Sequence, residues 1–178
     1  MKIAPLSLPG AQLITLPAFT DMRGIFVKTY HHSSLWEAGL DFQLKESYYS
    51  LSKKGVIRGM HFQTPPHEHS KIVFCPVGAI LDVIIDLRKN SPSYGQYHAE
   101  ILSQDNNQAY YIPAGFAHGF KALTEDAMTY YLVSSEYNAS SDTGIRWDSF
   151  GYNWDCPEPI ISQRDQSFSV FADFSSPF

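Results

Sequence analysis

Short apolar runs alternate along most of the chain with polar segments that contain glycine, proline, asparagine or serine. The clearest runs are Lys71–Pro76 and Ala79–Leu87, and Gly78 lies between them where a tight hairpin would turn. About ten such runs recur at spacings typical of an all-β sandwich or barrel. Only Ser33–Gly39 has the features of a short helix, with Ser34 as its candidate N-cap. The pattern therefore predicts an all-β protein with short peripheral helices.

Length and composition are consistent with one folded unit. The chain has 178 residues, enough to bury a substantial core. No segment has the composition of a linker, so we expect a single domain over residues 1–178. Aromatic residues make up 15% of the chain, including 11 Tyr and 12 Phe, and this enrichment also favours strands.

Charge and hydrophobicity limit the kinds of partner. The net charge is −5 and there is no basic run, which argues against non-specific binding to nucleic acid. No segment approaches the roughly 18 consecutive apolar residues of a transmembrane helix, and the proline-containing N-terminus is a poor signal peptide. We therefore expect a cytoplasmic protein with neither a membrane nor a nucleic-acid partner.

The segment Arg58–Lys71 concentrates polar side chains between two apolar strands. It reads RGMHFQTPPHEHSK and contains three histidines together with Arg58, Gln63 and Lys71. The sequence His67-Glu-His69 has the spacing of a metal motif, and His118 could supply a third ligand. The strand that follows lacks the carboxylate that such sites often add, so we expect His67 and His69 to lie in a solvated polar loop.

An acid/base site is the second interpretation of the segment. His61 lies in a strand that should line the interior, and a neutral histidine is a good base near pH 7. It would need a carboxylate partner, for which Asp82, Asp86 and Asp165 are all candidates. Of the adjacent Tyr130 and Tyr131, only one can face the interior, where a protonated phenol could act as an acid.

Several cations could bind an anionic substrate or stabilise an enolate oxygen. They are Arg23, Arg58, Lys71 and Arg88. Gln63, Lys71 and His118 could converge with His61 in one concavity. No nucleophile motif and no glycine-rich phosphate loop is present in the sequence.

Long motifs in a fixed order resemble the dTDP-4-dehydrorhamnose 3,5-epimerase family from about Arg23 to Asp165. The motifs are Arg58–Gln63, Gly78–Arg88, Ser91–Gly95, Ile112–Phe120, Gly144–Trp147 and Ile161–Asp165. The resemblance implies a cupin-type jelly roll, also called a double-stranded β-helix, and a homodimer. It also implies epimerisation at C3, C5 or both of a nucleotide-linked 4-keto-6-deoxyhexose, without metal or cofactor. Such a reaction belongs to deoxysugar biosynthesis, which includes rhamnose and supplies lipopolysaccharide O-antigen.

The resemblance also implies roles for individual side chains. His61 matches the base that removes a proton beside the C4 ketone, and Asp165 matches its carboxylate partner. Tyr131 matches the acid on the opposite face of the sugar. The remaining matched residues surround the keto oxygen and the sugar, and they are Lys71, Arg58 and His118.

The nucleotide end of the matched site departs from the family pattern. Arg23 matches a nucleotide contact that family members supply across the dimer. Lys28 stands where the family usually has an acidic residue, and Glu46 and Tyr48 stand where it has Gln and Asn. Leu132 replaces a Lys that commonly follows the acid Tyr. We therefore keep open a differently linked substrate, such as a CDP-linked deoxyhexulose or dideoxyhexulose.

Two further alternatives come from other classes of protein. One is a metal-dependent cupin that uses His67, His69 and His118 as ligands. The other is a sugar-binding cupin module that keeps the pocket without the chemistry.

Overall fold

The structure is a computed structural model that describes residues 1–178. Thirteen strands, two short α-helices and one 3-10 turn make up its regular elements. The strands are β1 (Lys2–Pro5), β2 (Gln12–Thr15), β3 (Ala18–Asp21), β4 (Gly24–Val27), β5 (Glu46–Ser52), β6 (Ile57–Gln63), β7 (Lys71–Val77), β8 (Ala79–Asp86), β9 (Tyr97–Ser103), β10 (Gln108–Ile112), β11 (Phe116–Ala122), β12 (Ala127–Val133) and β13 (Asp142–Gly144). The helices are α1 (His32–Glu37) and α2 (Gln163–Ser167), and the 3-10 turn is Phe171–Asp173.

Two antiparallel sheets form the body of the molecule. One has six strands in the order β1-β2-β10-β7-β12-β5, and the other has five in the order β13-β6-β11-β8-β9. Neighbours in these sheets are often distant in sequence, as in a jelly roll. The predicted all-β, cupin-type jelly roll with short peripheral helices is therefore confirmed. Neither helix is long and apolar enough to cross a lipid bilayer.

The main core fills the space between the two sheets. Val73 of β7, Ile84 of β8 and Phe120 of β11 are fully or almost fully buried there, with Tyr110 of β10. These strands are nearly continuous in apolar residues because both of their faces are covered. Gly78 joins β7 to β8 with φ of 76°, the left-handed conformation that the predicted hairpin requires.

The predicted helix exists, but its N-cap was predicted wrongly. Helix α1 spans His32–Glu37, and its N-cap is His31, which makes no side-chain capping bond. Ser34 lies inside the first turn, where its hydroxyl is 2.8 Å from Nδ1 of His31. Capping signals this short do not fix a helix start to one residue.

A two-stranded ribbon forms a third, separate sheet. It consists of β3 and β4, which pair only with each other. Most of the ribbon is exposed, and this includes the apolar side chains of Phe19, Ile25 and Phe26. An exposed apolar ribbon of this kind marks a surface available to another chain.

Candidate active site

Side chains from both sheets line one pocket. Four of the predicted site residues reach it from the six-stranded sheet, namely Glu46, Tyr48, Lys71 and Tyr131. Four more reach it from the five-stranded sheet, namely Arg58, His61, Gln63 and His118. The structure therefore brings together eight of the residues that the sequence indicated.

His61 on one wall is held by a buried carboxylate. Its Nε2 lies 2.8 Å from Oδ1 of Asp165, while Oδ2 of the same carboxylate accepts the Gly59 backbone N–H at 3.1 Å. Helix α2 positions Asp165, because the Ser162 hydroxyl caps the helix by accepting the Asp165 N–H. An ionised carboxylate only accepts, so Nε2 of the neutral imidazole carries the proton and Nδ1 keeps the lone pair.

The pKa of Asp165 is lowered from its usual value. Burial alone would raise this pKa, but the hydrogen bond and charge of His61, with further bonds from Gly59 and Ser162, outweigh burial. Asp165 is therefore ionised at neutral pH and can stabilise a protonated His61. Asp82 and Asp86, the other candidate partners, are occupied elsewhere by His118 and Arg88.

The strands around His61 approach one another unusually closely. Gly59 has φ of 146°, and a Cβ on it would lie 2.6 Å from Cα of Gly119 on β11. Only glycine meets both conditions without a shift of the backbone. This contact brings the Gly59 N–H to Asp165 and places His61 two residues later on the same strand.

A buried ammonium group lies next to the base. Lys71 is almost fully buried, and its Nζ donates to the backbone carbonyl of His61 at 3.3 Å. Burial lowers the pKa of Lys71 to about 8, and the carboxylates of Asp142 and Asp82 act in the opposite direction. A cation here can stabilise negative charge that develops on a substrate oxygen.

His118 lies on the same wall of the pocket as His61. It pairs with His61 in register between β6 and β11, and its Nε2 lies 2.9 and 2.8 Å from the two oxygens of Asp82. Both groups are buried, and burial raises the pKa of Asp82 and lowers that of His118. The Asp82 carboxylate accepts the His118 Nε2–H and so holds the ring in a fixed orientation.

Tyr131 lies on the opposite wall. It belongs to β12 of the six-stranded sheet, whereas His61 belongs to β6 of the five-stranded sheet. Tyr130 faces outward and stacks on Phe74 at 5.2 Å, so the alternation along the strand assigns Tyr131 to the pocket. Burial, followed by the nearby Tyr48, raises the pKa of Tyr131 well above its usual value. The phenol is therefore protonated at neutral pH.

The loop between β6 and β7 is more ordered than the sequence suggested. Gln63 is buried, and its Nε2 donates to the His67 carbonyl at 2.8 Å and to Nδ1 of His69 at 3.1 Å. Its Oε1 accepts the Asn138 N–H at 2.6 Å. His69 lines the pocket, where burial and then Lys71 lower its pKa to about 3. The expectation of a solvated loop was therefore wrong for His69.

Each of the three histidines of the metal-dependent alternative has a different hydrogen-bond partner. His118 binds Asp82, His69 binds Gln63, and His67 lies 3.3 Å from the side-chain amide of Asn138. No group of three or more His, Cys, Asp or Glu side chains is arranged to hold a metal ion.

Three predicted site residues are outside the pocket lining, and one of them, Asp165, contacts it through His61. Arg23 is in the turn between β3 and β4, where its side chain is 86% exposed and pairs with Asp21 at 2.6 Å. Lys28 follows β4 and is also outside the pocket lining. Within one chain, therefore, the ribbon does not contribute to the site.

Several pocket residues were not identified from the sequence. Ser50 and Val133 lie two residues from Tyr48 and Tyr131, so the strand period alone could have indicated them. Tyr137 comes from the irregular segment after β12, and Asp142 begins β13, which at three residues is too short to show a periodic signal. Glu46 accepts the Tyr137 backbone N–H at 2.7 Å and so connects this segment to β5.

The fold and the pocket together define a class of protein. A jelly roll that presents a His–Asp pair on one wall, a protonated Tyr on the other and a Lys bonded to the backbone of the His is equipped for proton transfer to and from carbon. Comparisons with known proteins identify the family within this class.

The chain belongs to the dTDP-4-dehydrorhamnose 3,5-epimerase family, whose sequence profile matches residues 5–173. A dTDP-4-dehydrorhamnose 3,5-epimerase of Shigella flexneri is 33% identical over 176 residues, which cover 97% of each chain. The resemblance inferred from the motifs is thereby confirmed. The protein is an isomerase of the sugar-nucleotide epimerase type.

Solved structures agree with this assignment. The Bacillus anthracis dTDP-4-dehydrorhamnose 3,5-epimerase, with TDP and pyrophosphate bound, has a TM-score of 0.92 and 35% identity, covering 95% of this chain and 98% of its own. A 3′-monoepimerase of Streptomyces bikiniensis in complex with dTDP-quinovose has a TM-score of 0.89 and 31% identity, covering 94% of this chain and 87% of its own. The similarity thus includes enzymes described as inverting two carbons and one carbon.

Proposed function

We propose that this protein epimerises C3, C5 or both of a dTDP-linked 4-keto-6-deoxyhexose by transferring protons between carbon and two opposed side chains. The observation that carries the proposal is the position of the His61–Asp165 pair and of Tyr131 on opposite walls of one pocket. Inversion of a carbon requires a base on one face and an acid on the other, and this arrangement supplies both.

The first step is removal of a proton by His61. The 4-keto group acidifies the hydrogens on C3 and C5, because the electron pair of the broken C–H bond delocalises onto the C4 oxygen. Lys71 and Arg58 stabilise the resulting enolate with their positive charges, and His118 lines the same pocket. Asp165 holds the ring of His61 and stabilises the imidazolium that forms.

The second step is protonation of the carbon by Tyr131 from the opposite face. The C–H bond forms with the enolate electron pair, and the phenol becomes a phenolate. Solvent then returns a proton to Tyr131 and removes one from His61. These proton transfers balance without any change of oxidation state.

Solvent deuterium exchange tests the assignment of the base. In D2O, the wild-type protein should place deuterium at C3, C5 or both of dTDP-4-keto-6-deoxyglucose, as followed by NMR. His61→Ala should lower this exchange by about 10² to 10⁴-fold, the usual contribution of a positioned base. Equal exchange by the two proteins would remove His61 from the mechanism. A protein that bound the sugar nucleotide without any exchange would instead be a sugar-binding module.

A CDP-linked substrate is the second candidate. Its support comes from Glu46 and Tyr48, which line the pocket at positions where the family usually has other side chains. A carboxylate at Glu46 can only accept hydrogen bonds, so it favours a base that presents donors. Thermal-shift titrations with dTDP, CDP, UDP and GDP distinguish the candidates: the dTDP proposal expects the largest stabilisation with dTDP, and a clear preference for CDP would overturn it.

We also propose that the protein works as a homodimer in which the β3–β4 ribbon packs against a second copy. The exposed apolar side chains of Phe19, Ile25 and Phe26 support this, because a monomer would leave them in water. Arg23, at the tip of the ribbon, would then contribute to the nucleotide end of the second copy's pocket. This arrangement gives a role to a residue that lies outside the pocket of its own chain.

A further inference from the structure

Tyr48 lies directly against the acid Tyr131. The register of β5 and β12 pairs the two residues, and their rings stack with centroids 4.8 Å apart and planes at 23°. The edge of His118 packs on the same Tyr131 ring, with centroids 5.8 Å apart and planes at 73°. The Tyr131 ring therefore has two aromatic neighbours, one stacked and one at a steep angle.

The next pair of residues on the same strands provides an internal comparison. Tyr49 pairs with Tyr130, and their rings stack at 6.4 Å and 14°. Successive residues of a strand face opposite sides, so this second pair lies on the outer surface, where Tyr49 is 61% exposed. One stacked tyrosine pair thus faces the pocket and the other faces outward.

The position of the Tyr131 ring determines on which face the enolate carbon is protonated. An enolate protonated by Tyr131 has an inverted carbon, whereas an enolate protonated by His61 regains its original configuration. In D2O the second route still exchanges hydrogen for deuterium once His61 has exchanged with solvent. The number of inversions per exchange therefore measures how well the Tyr131 hydroxyl is aimed, independently of how tightly the nucleotide binds.

We propose that Tyr48 is a positioning residue that confines the Tyr131 ring, so that the enolate is protonated on the face opposite His61. This inference rests on the proposed function. A flat ring stacked at 4.8 Å restricts rotation of its neighbour in a way that a smaller or non-planar side chain does not. Burial raises the pKa of Tyr48 to about 12, so both rings of the pair are neutral at the pH of the reaction.

The experiment compares four Tyr48 and Tyr49 variants with the wild type in D2O, using dTDP-4-keto-6-deoxyglucose. NMR follows deuterium and configuration at C3 and C5 separately. Tyr48→Ala and Tyr48→Leu should lower the number of inversions per exchange by about tenfold, the effect of losing one favourable ring contact. Tyr48→Phe keeps the ring and should keep the ratio. Tyr49→Ala, on the outer face, should change neither the ratio nor the rates.

Two results would overturn the inference. If Tyr48→Ala and Tyr48→Leu raise KM but leave the ratio unchanged, Tyr48 is a substrate contact and does not position Tyr131. If Tyr48→Phe lowers the ratio as much as Tyr48→Ala, the hydroxyl and not the ring is responsible. Failure of the proposed function itself looks different, because the wild type would then show neither exchange nor inversion.

Discussion

At the scale of single residues, the most unusual group is the buried ammonium of Lys71. Its burial lowers its pKa to about 8, so the protonated form that can stabilise an enolate is lost as the pH rises through that value. The pH dependence of kcat/KM reports the ionisation of the free enzyme. The exchange reaction therefore has a built-in upper limit in pH.

We expect kcat/KM of the wild type to fall by about tenfold per pH unit above pH ~8, as for loss of one essential proton. Lys71→Arg should have lower activity at neutral pH because the longer, planar group fits the buried site poorly. It should nevertheless show no such fall up to pH ~10, because a guanidinium remains charged. If kcat/KM of Lys71→Arg falls above pH ~8 as it does in the wild type, the ionisation belongs to a group other than Lys71.

Single residues also show what could be read from the sequence. His61, Arg58 and Lys71 were identified because they lie in one dense segment. Asp165 was one of three candidates, and only the family resemblance chose it, because its bond to His61 spans 104 residues of sequence. The sequence predicts a solvated His69, because its contact with the buried side chain of Gln63 cannot be inferred from local pattern.

At the scale of elements, the base depends on the close approach of β6 and β11. Gly59 combines φ of 146° with a position where a Cβ would meet Cα of Gly119 at 2.6 Å. Gly151 offers a matched comparison, since it also has positive φ, of 83°, but nothing lies within 4 Å of its Cβ position. Comparing substitutions at the two sites distinguishes the cost of a strained backbone from the cost of the close contact.

We expect Gly59→Ala to lower the free energy of unfolding by about 2–4 kcal/mol, because strain and steric overlap add. Gly151→Ala should lower it by about 1 kcal/mol, the cost of positive φ alone. Urea denaturation measures both values. Similar losses in the two variants would show that the contact with β11 is not a tight one.

Strands and turns could be predicted where the signal lies within a few neighbouring residues. Gly78 located the β7–β8 hairpin, and alternation along β12 allowed only one of its two adjacent tyrosines into the pocket. The irregular segment between β12 and α2 gave no such signal. Tyr137 lines the pocket from this segment, and Asp142 lines it from the three-residue strand β13 within it, so no local pattern indicates either residue.

At the scale of the whole molecule, the ribbon of β3 and β4 is the feature that one chain leaves unexplained. Ile25 on the ribbon and Ile160 on the body are both 56% exposed, so they are matched in type and accessibility. Only Ile25 lies on the surface that we assign to a second copy. The same ribbon carries Arg23.

We expect sedimentation equilibrium to give twice the chain mass of 20.1 kDa for the wild type and for Ile160→Asp. Ile25→Asp should sediment as a monomer, because burying its charge in the interface is unfavourable. It should also bind dTDP more weakly, because Arg23 no longer reaches the other pocket. A monomeric wild type would contradict the proposed homodimer, and a dimeric Ile25→Asp would exclude the ribbon as its interface.

The jelly roll as a whole could be predicted because short strands and turns recur throughout the sequence. The positions of Arg23 and Lys28 outside the pocket could not be predicted in this way. The role that we propose for the exposed ribbon depends on a second molecule and not on contacts within one chain. The sequence therefore defined the catalytic pocket more completely than its nucleotide end.

We propose that the two opposed walls have separate roles, with His61 removing the proton and Tyr131 returning it. The most direct measurement is the number of inversions per deuterium exchanged by Tyr131→Phe in D2O, with dTDP-4-keto-6-deoxyglucose as substrate. Exchange should persist, because His61, Asp165 and Lys71 remain, while inversion falls by about 10² to 10⁴-fold. Inversion at the wild-type ratio by Tyr131→Phe would contradict the account.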